Sequence, residues 1–249
     1  MACARSERGY RDLIKGDVLA FGGTVLPETT PELDRRRLAV AELGAQLRAL
    51  VDASVRTEVP TETVERTAAA VRELIGPLTE RTRSLRVPPS VDDLVGGVRL
   101  LNPVIGAGNP IAPPLRVLAE PGRVTAEFTL GLVYEGPHMY GHGGISALLL
   151  DQVLGHAAAS AGNAGVTTGL SLSYRKPVPL DVPLRIDAEV TEVDERRTTV
   201  KGAIVTAAEP DVPLVEAEGA FLRLRPDQVK RLFAKSLSAD TADPEAAHD

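Results

Sequence analysis

The sequence predicts an α+β fold in which one long apolar helix is buried against an antiparallel sheet, with a helical extension ahead of it. Three observations lead there. Residues 143 to 160, GGISALLLDQVLGHAAAS, carry almost no charge and are rich in Ala and Leu, so this helix is apolar around most of its circumference and must be buried. On either side of it the chain alternates between apolar and polar residues with the period of a strand, in two runs before and four after. Ahead of these, residues 32 to 83 change to the spacings of an amphipathic helix.

Taken in order, residues 1 to 31 mix charges, glycines and Thr-rich punctuation without a sustained period, and are expected to be irregular. From Pro31, the apolar residues Leu33, Val40, Leu43, Leu47, Leu50, Val51 and Val55 recur at helical spacing, with arginines and acids between them. A second helix is expected from Thr61, which can cap it, with Glu62 and Glu65 near the positive end of the dipole. Its stripe is Val64, Ala68, Val71, Leu74 and Ile75, and Gly76-Pro77 is expected to break or end it. Such a hairpin could present a helix to DNA. Between residues 30 and 86, however, arginines only about balance acids, so the electrostatic footprint of a DNA reader is missing. The stripes are expected instead to pack on the following domain or on a second subunit.

Residues 84 to 110 are rich in Pro and Gly, as in a linker or a lid-like loop, and a domain boundary is expected there. The domain that follows, residues 111 to 226, opens with LRVLAE, a Pro121-Gly122 turn and RVTAEFTLGLV. After the buried helix come VTTGLSLSYRKP, a hairpin turning near Asp194 to Arg196, and PLVEAEGAFLRLRP. The tail, 227 to 249, begins as a short helix and ends polar. The order of strand, strand, buried helix and four strands is that of a hotdog fold.

Composition narrows the function. With a formal net charge of -6, 3% aromatic residues and no Trp, the chain lacks both the basic face and the stacking platforms of a nucleic-acid binder. Cys3 is the only cysteine, which excludes an intramolecular disulfide and a multi-cysteine metal site and suits a reducing compartment. The first residues lack the apolar run of a signal peptide, and no later run approaches a membrane span, so a cytoplasmic protein is expected.

Two features carry chemistry. Asp151 sits in the middle of the apolar helix, where Ala147, Leu148, Leu154 and Gly155 one turn away cannot pair with it. A buried carboxylate must then be satisfied by another segment or be tuned for proton transfer. His142-Gly143-Gly144 stands where the loop becomes helix, so the amides of Gly143 and Gly144 are among the free donors of the first turn and can hold an oxyanion. Eight residues of helix between Gly143 and Asp151 span about 12 Å, too far for both to touch one carbonyl group. If they act together, Asp151 must face the turn of a second subunit in an isologous dimer. His138 and His142 are four apart, but Gly141 and the loop setting spoil a helical metal face, and no metal is expected. His156 reads as a core or interface histidine.

Tyr134-Glu135-Gly136-Pro137, His142-Gly143-Gly144, Asp151, Gly155 and Tyr174-Arg175-Lys176-Pro177-Val178-Pro179-Leu180 together resemble the acyl-CoA hotdog thioesterases of the phenylacetyl-CoA (PaaI-like) type. The resemblance covers roughly residues 110 to 225. It implies hydrolysis of an acyl-CoA, with a fatty or an aromatic acyl group, to free acid and CoA. Asp151 would be general base or nucleophile, Gly143 the oxyanion donor, His142 the residue orienting the turn and thioester, and Thr167 the residue positioning water. No cofactor is implied beyond the CoA of the substrate, and the active form would be a homodimer or a tetramer of two dimers. Substrate contacts are expected from Gly144, Gly136, Pro137, His138 and Tyr140, with Arg175 and Lys176 toward the CoA phosphates. Some relatives carry Asn where this chain has Gly136, so the second oxyanion donor is unassigned. The competing reading is a non-catalytic acyl-CoA sensor whose helical extension transmits occupancy.

Overall fold

The computed structural model describes residues 30–228 except 86, 94–96 and 114, together with residue 231. Cys3, most of the expected irregular segment 1–31 and most of the tail 227–249 lie outside them. The described residues fall into two compact units, one of residues 30–55 and 91–224, the other of residues 56–90 and those described beyond 224.

The first unit is built on α3, Gly143–Ser160, and six strands: β1 (Arg116–Glu120), β2 (Arg123–Phe128), β3 (Val166–Tyr174), β4 (Leu184–Val193), β5 (Arg197–Thr206) and β6 (Val215–Leu222). They form one sheet in the order β1-β2-β4-β5-β6-β3, with every neighbouring pair antiparallel. The two turns read from sequence are present. Gly122 takes the left-handed conformation at φ 76° between β1 and β2. Asp194 and Arg197 exchange backbone hydrogen bonds of 2.8 and 3.1 Å around the β4–β5 turn. Leu149, Leu150, Val153, Leu154, Ala157 and Ala158 of α3 are fully buried with Ile186, Val200, Ile204 and Val215 of the sheet. At about 1.5–3 kcal/mol for each large apolar side chain, this layer is the main stabilising contact of the unit. A sheet with one long helix on one face is the predicted hotdog fold.

The sheet ends in two edges, and β3 forms one of them. It pairs with β6 alone and leaves its other side open among the described residues. Most of its residues are exposed.

The extension differs from the pattern read in sequence. Helix α1, Pro31–Arg56, starts as expected, with Thr30 Oγ1 accepting from the Leu33 amide at 3.2 Å and Glu32 and Asp34 in the first turn. Its fully buried residues, however, are Arg37 and Gly44; of the expected stripe, Leu33, Val40, Leu47 and Leu50 are half-buried, whereas Leu43, Val51 and Val55 are exposed. The reason is what the helix packs against. The carbonyls of Val91, Ala107 and Asn109, in the loop ahead of the sheet, face α1 and need donors. Arg37 Nε donates to Val91 O at 2.9 Å, and Arg48 Nη1 to the carbonyls of Ala107 and Asn109 at 2.8 Å each. Gly44 lets the backbones close: a Cβ there would lie 2.5 Å from Ala107 O.

Within the Pro- and Gly-rich stretch expected as a linker, Val91, Leu100 and Val104 are buried, so the residues described there are packed rather than a free connection. Its amides are satisfied locally, Asn102 Oδ1 accepting from Val104 and Ile105.

In the second unit, helix α2 runs Thr61–Thr79. Pro60, not Thr61, holds the capping position, without a side-chain bond, and the helix continues through Pro77 for two further residues. So near the end, the amide missing at Pro77 costs a single helical bond. No residue of α2 is buried.

Gly44→Ala is expected to cost about 1–3 kcal/mol by forcing the helix and loop backbones apart. A denaturant midpoint equal to that of the wild type would contradict the close approach.

Candidate active site

The turn that opens α3 is made by backbones that pass very close together. The His142 amide donates to Tyr134 O at 2.8 Å, Gly141 N to Val178 O at 2.8 Å, and Gly136 N to Tyr140 O at 2.9 Å. A Cβ at residue 136 would stand 2.7 Å from His142 Cα, so the loop as built admits glycine there and no Asn. Glu135 stabilises the same loop: its carboxylate accepts from the Met139 amide at 2.8 Å and lies 3.5 Å from His138 Nδ1. Met139 is held left-handed at φ 71°, an unusual conformation for a side chain of its size.

His142 is the N-cap of α3. Its Nδ1 accepts from Gly144 N at 3.0 Å, which leaves the ring proton on Nε2 in the neutral imidazole. This corrects the expectation that both glycine amides are available. The Gly144 amide is taken by the imidazole, whereas the Gly143 amide has no partner among the described residues. Glycine at 144 also makes room for that ring, since a Cβ would lie 3.1 Å from Nδ1. Tyr174, at the end of β3, donates from its hydroxyl to Gly143 O at 3.0 Å.

Beside this turn is a cavity of about 340 Å³. Of the residues singled out in the sequence, Pro137, Tyr140, Gly143, Arg175 and Lys176 line it; Gly136, His138, His142 and Gly144 do not. The two cations differ. Arg175 Nε is bound to Glu216 at 2.7 Å, whereas Lys176 has no ion pair among the described residues. Sequence reasoning missed Tyr174 and Ser146 in the wall. Ser146 is buried, and its hydroxyl has no partner among the described residues. The available signal was a hydroxyl in the first turn of a nearly apolar helix, just after the glycines.

Asp151 lies two turns further along α3, half-buried, and its partner does come from another segment: Thr167 Oγ1 of β3 donates to Asp151 Oδ1 at 2.9 Å. Neither residue lines the cavity at the helix N-terminus, as the 12 Å arithmetic requires.

His156 is half-buried on α3. Asn102 Nδ2 donates to Gln152 Oε1 at 3.2 Å, so the Gln152 amide nitrogen faces His156 Nε2 at 3.0 Å and donates to it. The proton then resides on Nδ1, which is buried without a partner among the described residues. Burial lowers the pKa of this imidazole from 6.5 to about 4. No group of three His, Cys, Asp or Glu that could hold a metal occurs among the described residues, and no helix among them is long and apolar enough to cross a membrane.

The family model described as "Thioesterase superfamily" matches residues 140–212. The crystal structure of a thioesterase superfamily protein is 37% identical, superposes with a TM-score of 0.66, and is matched over 74% of this chain and 94% of its own. Mouse (Mus musculus) acyl-coenzyme A thioesterase THEM4 is 29% identical over 106 residues, 43% of this chain and 45% of that protein. The Xenopus laevis protein of the same name is 28% identical over 104 residues, 42% and 46%. The match thus spans less than half the length of these curated relatives.

Because the native state keeps His156 neutral to lower pH than the unfolded chain does, its contribution to stability is complete above about pH 6.5 and is lost as pH falls from there toward 4. The loss amounts to about 3 kcal/mol, and in His156→Gln the unfolding free energy should fall less steeply over that window. Equal slopes in the two proteins would contradict the buried neutral imidazole.

Proposed function

The chain belongs to the thioesterase superfamily, and from that premise we propose that it hydrolyses the thioester bond of an acyl-CoA to a free acid and CoA. The observation that carries the reading is the pairing of two unspent groups: a carboxylate with one oxygen held by a hydroxyl, and a helix N-terminal amide with no acceptor.

In this mechanism Thr167 holds Asp151 Oδ1, and Oδ2 takes a proton from water as its oxygen attacks the carbonyl carbon, or itself attacks to give an anhydride that water then opens. The charge on the carbonyl oxygen is met by the Gly143 amide at the positive end of α3. The carbon–sulfur bond breaks as the tetrahedral centre collapses, and the thiolate of CoA leaves. A thioester needs no metal for this, since it is already electrophilic and thiolate is a good leaving group.

The two groups are brought together by a homodimer formed along β3. A two-fold axis pairing this open edge with its copy must do so antiparallel. Centred on Leu170, the middle of the strand, it sets Thr167 opposite Ser173 of the second copy, next to that copy's Tyr174. Tyr174 in turn touches Gly143. The Asp151–Thr167 pair of one subunit then faces the Gly143 turn of the other, and two such sites form. Lys176 serves the CoA phosphates in preference to Arg175, whose charge Glu216 already engages. The acyl group, fatty or aromatic, is taken up against the aliphatic wall of Pro137, Pro177 and Val178.

Release of free thiol from a panel of acyl-CoAs tests the reaction. The wild type should release it, and Asp151→Ala should lower kcat by roughly 10²–10⁴-fold with folding intact. Tight binding of acyl-CoA without hydrolysis by the wild type would overturn the reading in favour of a sensor.

A further inference from the structure

Glycine at 143 and 144 keeps side chains out of the turn, and it also removes the steric restraint that holds a peptide plane in place. An oxyanion donor must not wander, because its value lies in being aimed before the charge develops. Something other than the glycines' own conformational preference must therefore hold this turn.

The contacts that do so converge on a single peptide unit. The carbonyl oxygen of Gly143 accepts from Tyr174 Oη at 3.0 Å, and the amide nitrogen of Gly144 donates to His142 Nδ1 at 3.0 Å. These two atoms belong to the same planar group, so one plane is held at both ends. The preceding peptide is held as well, by Ile145 N donating to His142 O at 2.9 Å. The Gly143 N–H lies in that preceding plane, and with the next plane clamped the two cannot turn against each other about the Gly143 Cα, so its direction is fixed too. The Tyr174 ring closes the remaining space, lying 3.3 Å from where a Cβ on Gly143 would stand.

We propose that Tyr174 is a positioning residue: with His142 it clamps the Gly143–Gly144 peptide and thereby aims the Gly143 amide at the developing oxyanion. The proposal rests on the thioesterase reading of this site for its catalytic consequence, but the clamp itself is a property of the turn. Because Tyr174 is carried by β3 and the amide by α3, the aim of the donor is set by the same strand whose edge is proposed to receive the second subunit.

Tyr174→Phe, His142→Ala and the double variant provide the test, with two separate readouts. The first is hydrogen exchange of the Gly144 amide, which should quicken severalfold in Tyr174→Phe while the melting temperature stays that of the wild type. The second is acyl-CoA hydrolysis: Tyr174→Phe should lower kcat by about tenfold with KM nearly unchanged. The double variant should lose little more than the worse single one, because both side chains hold the same plane. Unchanged exchange at Gly144 would overturn the clamp. Unchanged kcat, or losses that multiply, would overturn its role in aiming the amide. A wild type that hydrolyses no acyl-CoA would defeat the thioesterase reading, and the exchange measurement would still decide the clamp.

Discussion

The burial of α3 against the sheet is the contact on which everything else depends. Its inner face carries four large side chains with no exposure, Leu149, Leu150, Val153 and Leu154, so the helix can neither bend nor slide without opening the core. A rigid helix holds its two functional features at a fixed separation. The free amide of the first turn and the carboxylate of Asp151 stand about 12 Å apart, and no local movement brings them together. The need for a second subunit in the proposed site follows from the stiffness of the core and from nothing special to the chemistry.

The same core explains the open edge. Six strands in the order β1-β2-β4-β5-β6-β3 return the third strand of the chain to the far side of the sheet, beside β6, where it carries Thr167 at one end and Tyr174 at the other. Thr167 reaches the carboxylate and Tyr174 reaches the glycine turn, so a single edge strand touches both halves of the site. Leu170 and Leu172 near its middle are half-buried against the core, and the residues toward both ends are exposed.

Much of this was legible in the sequence because it follows from periodicity. Alternation identified all six strands, the Pro121-Gly122 and Asp194 to Arg196 turns bounded two hairpins, and the scarcity of charge in residues 143 to 160 required a buried helix. Asp151 stood out for the same reason, as a carboxylate with no partner on its own helix. What was not legible depends on direction and on three-dimensional surroundings. Patterning assigns Leu33, Val40, Leu47 and Leu50 to the inner face of α1, where they are half-buried, but it does not reveal that Arg37 and Arg48 share that face as donors to loop carbonyls while Leu43 and Val55 stay exposed. A Pro- and Gly-rich stretch reads as a linker, although Asn102 and Asn109 satisfy its backbone and let it pack. At the site, no spacing rule says that the His142 ring folds back onto the Gly144 amide, nor that the hydroxyl of Tyr174, thirty-one residues away, reaches the neighbouring carbonyl.

The central claim is that each site is completed by two chains, and mixed dimers test it directly. One chain carries Asp151→Ala; the other carries Gly143→Val, whose side chain would press into the Tyr174 ring. Each homodimer lacks one half of both its sites. A heterodimer contains one site with both defects and one with neither, so purified heterodimers should hydrolyse acyl-CoA at about half the wild-type rate while both homodimers remain inactive. Heterodimers no more active than the homodimers would contradict the shared site.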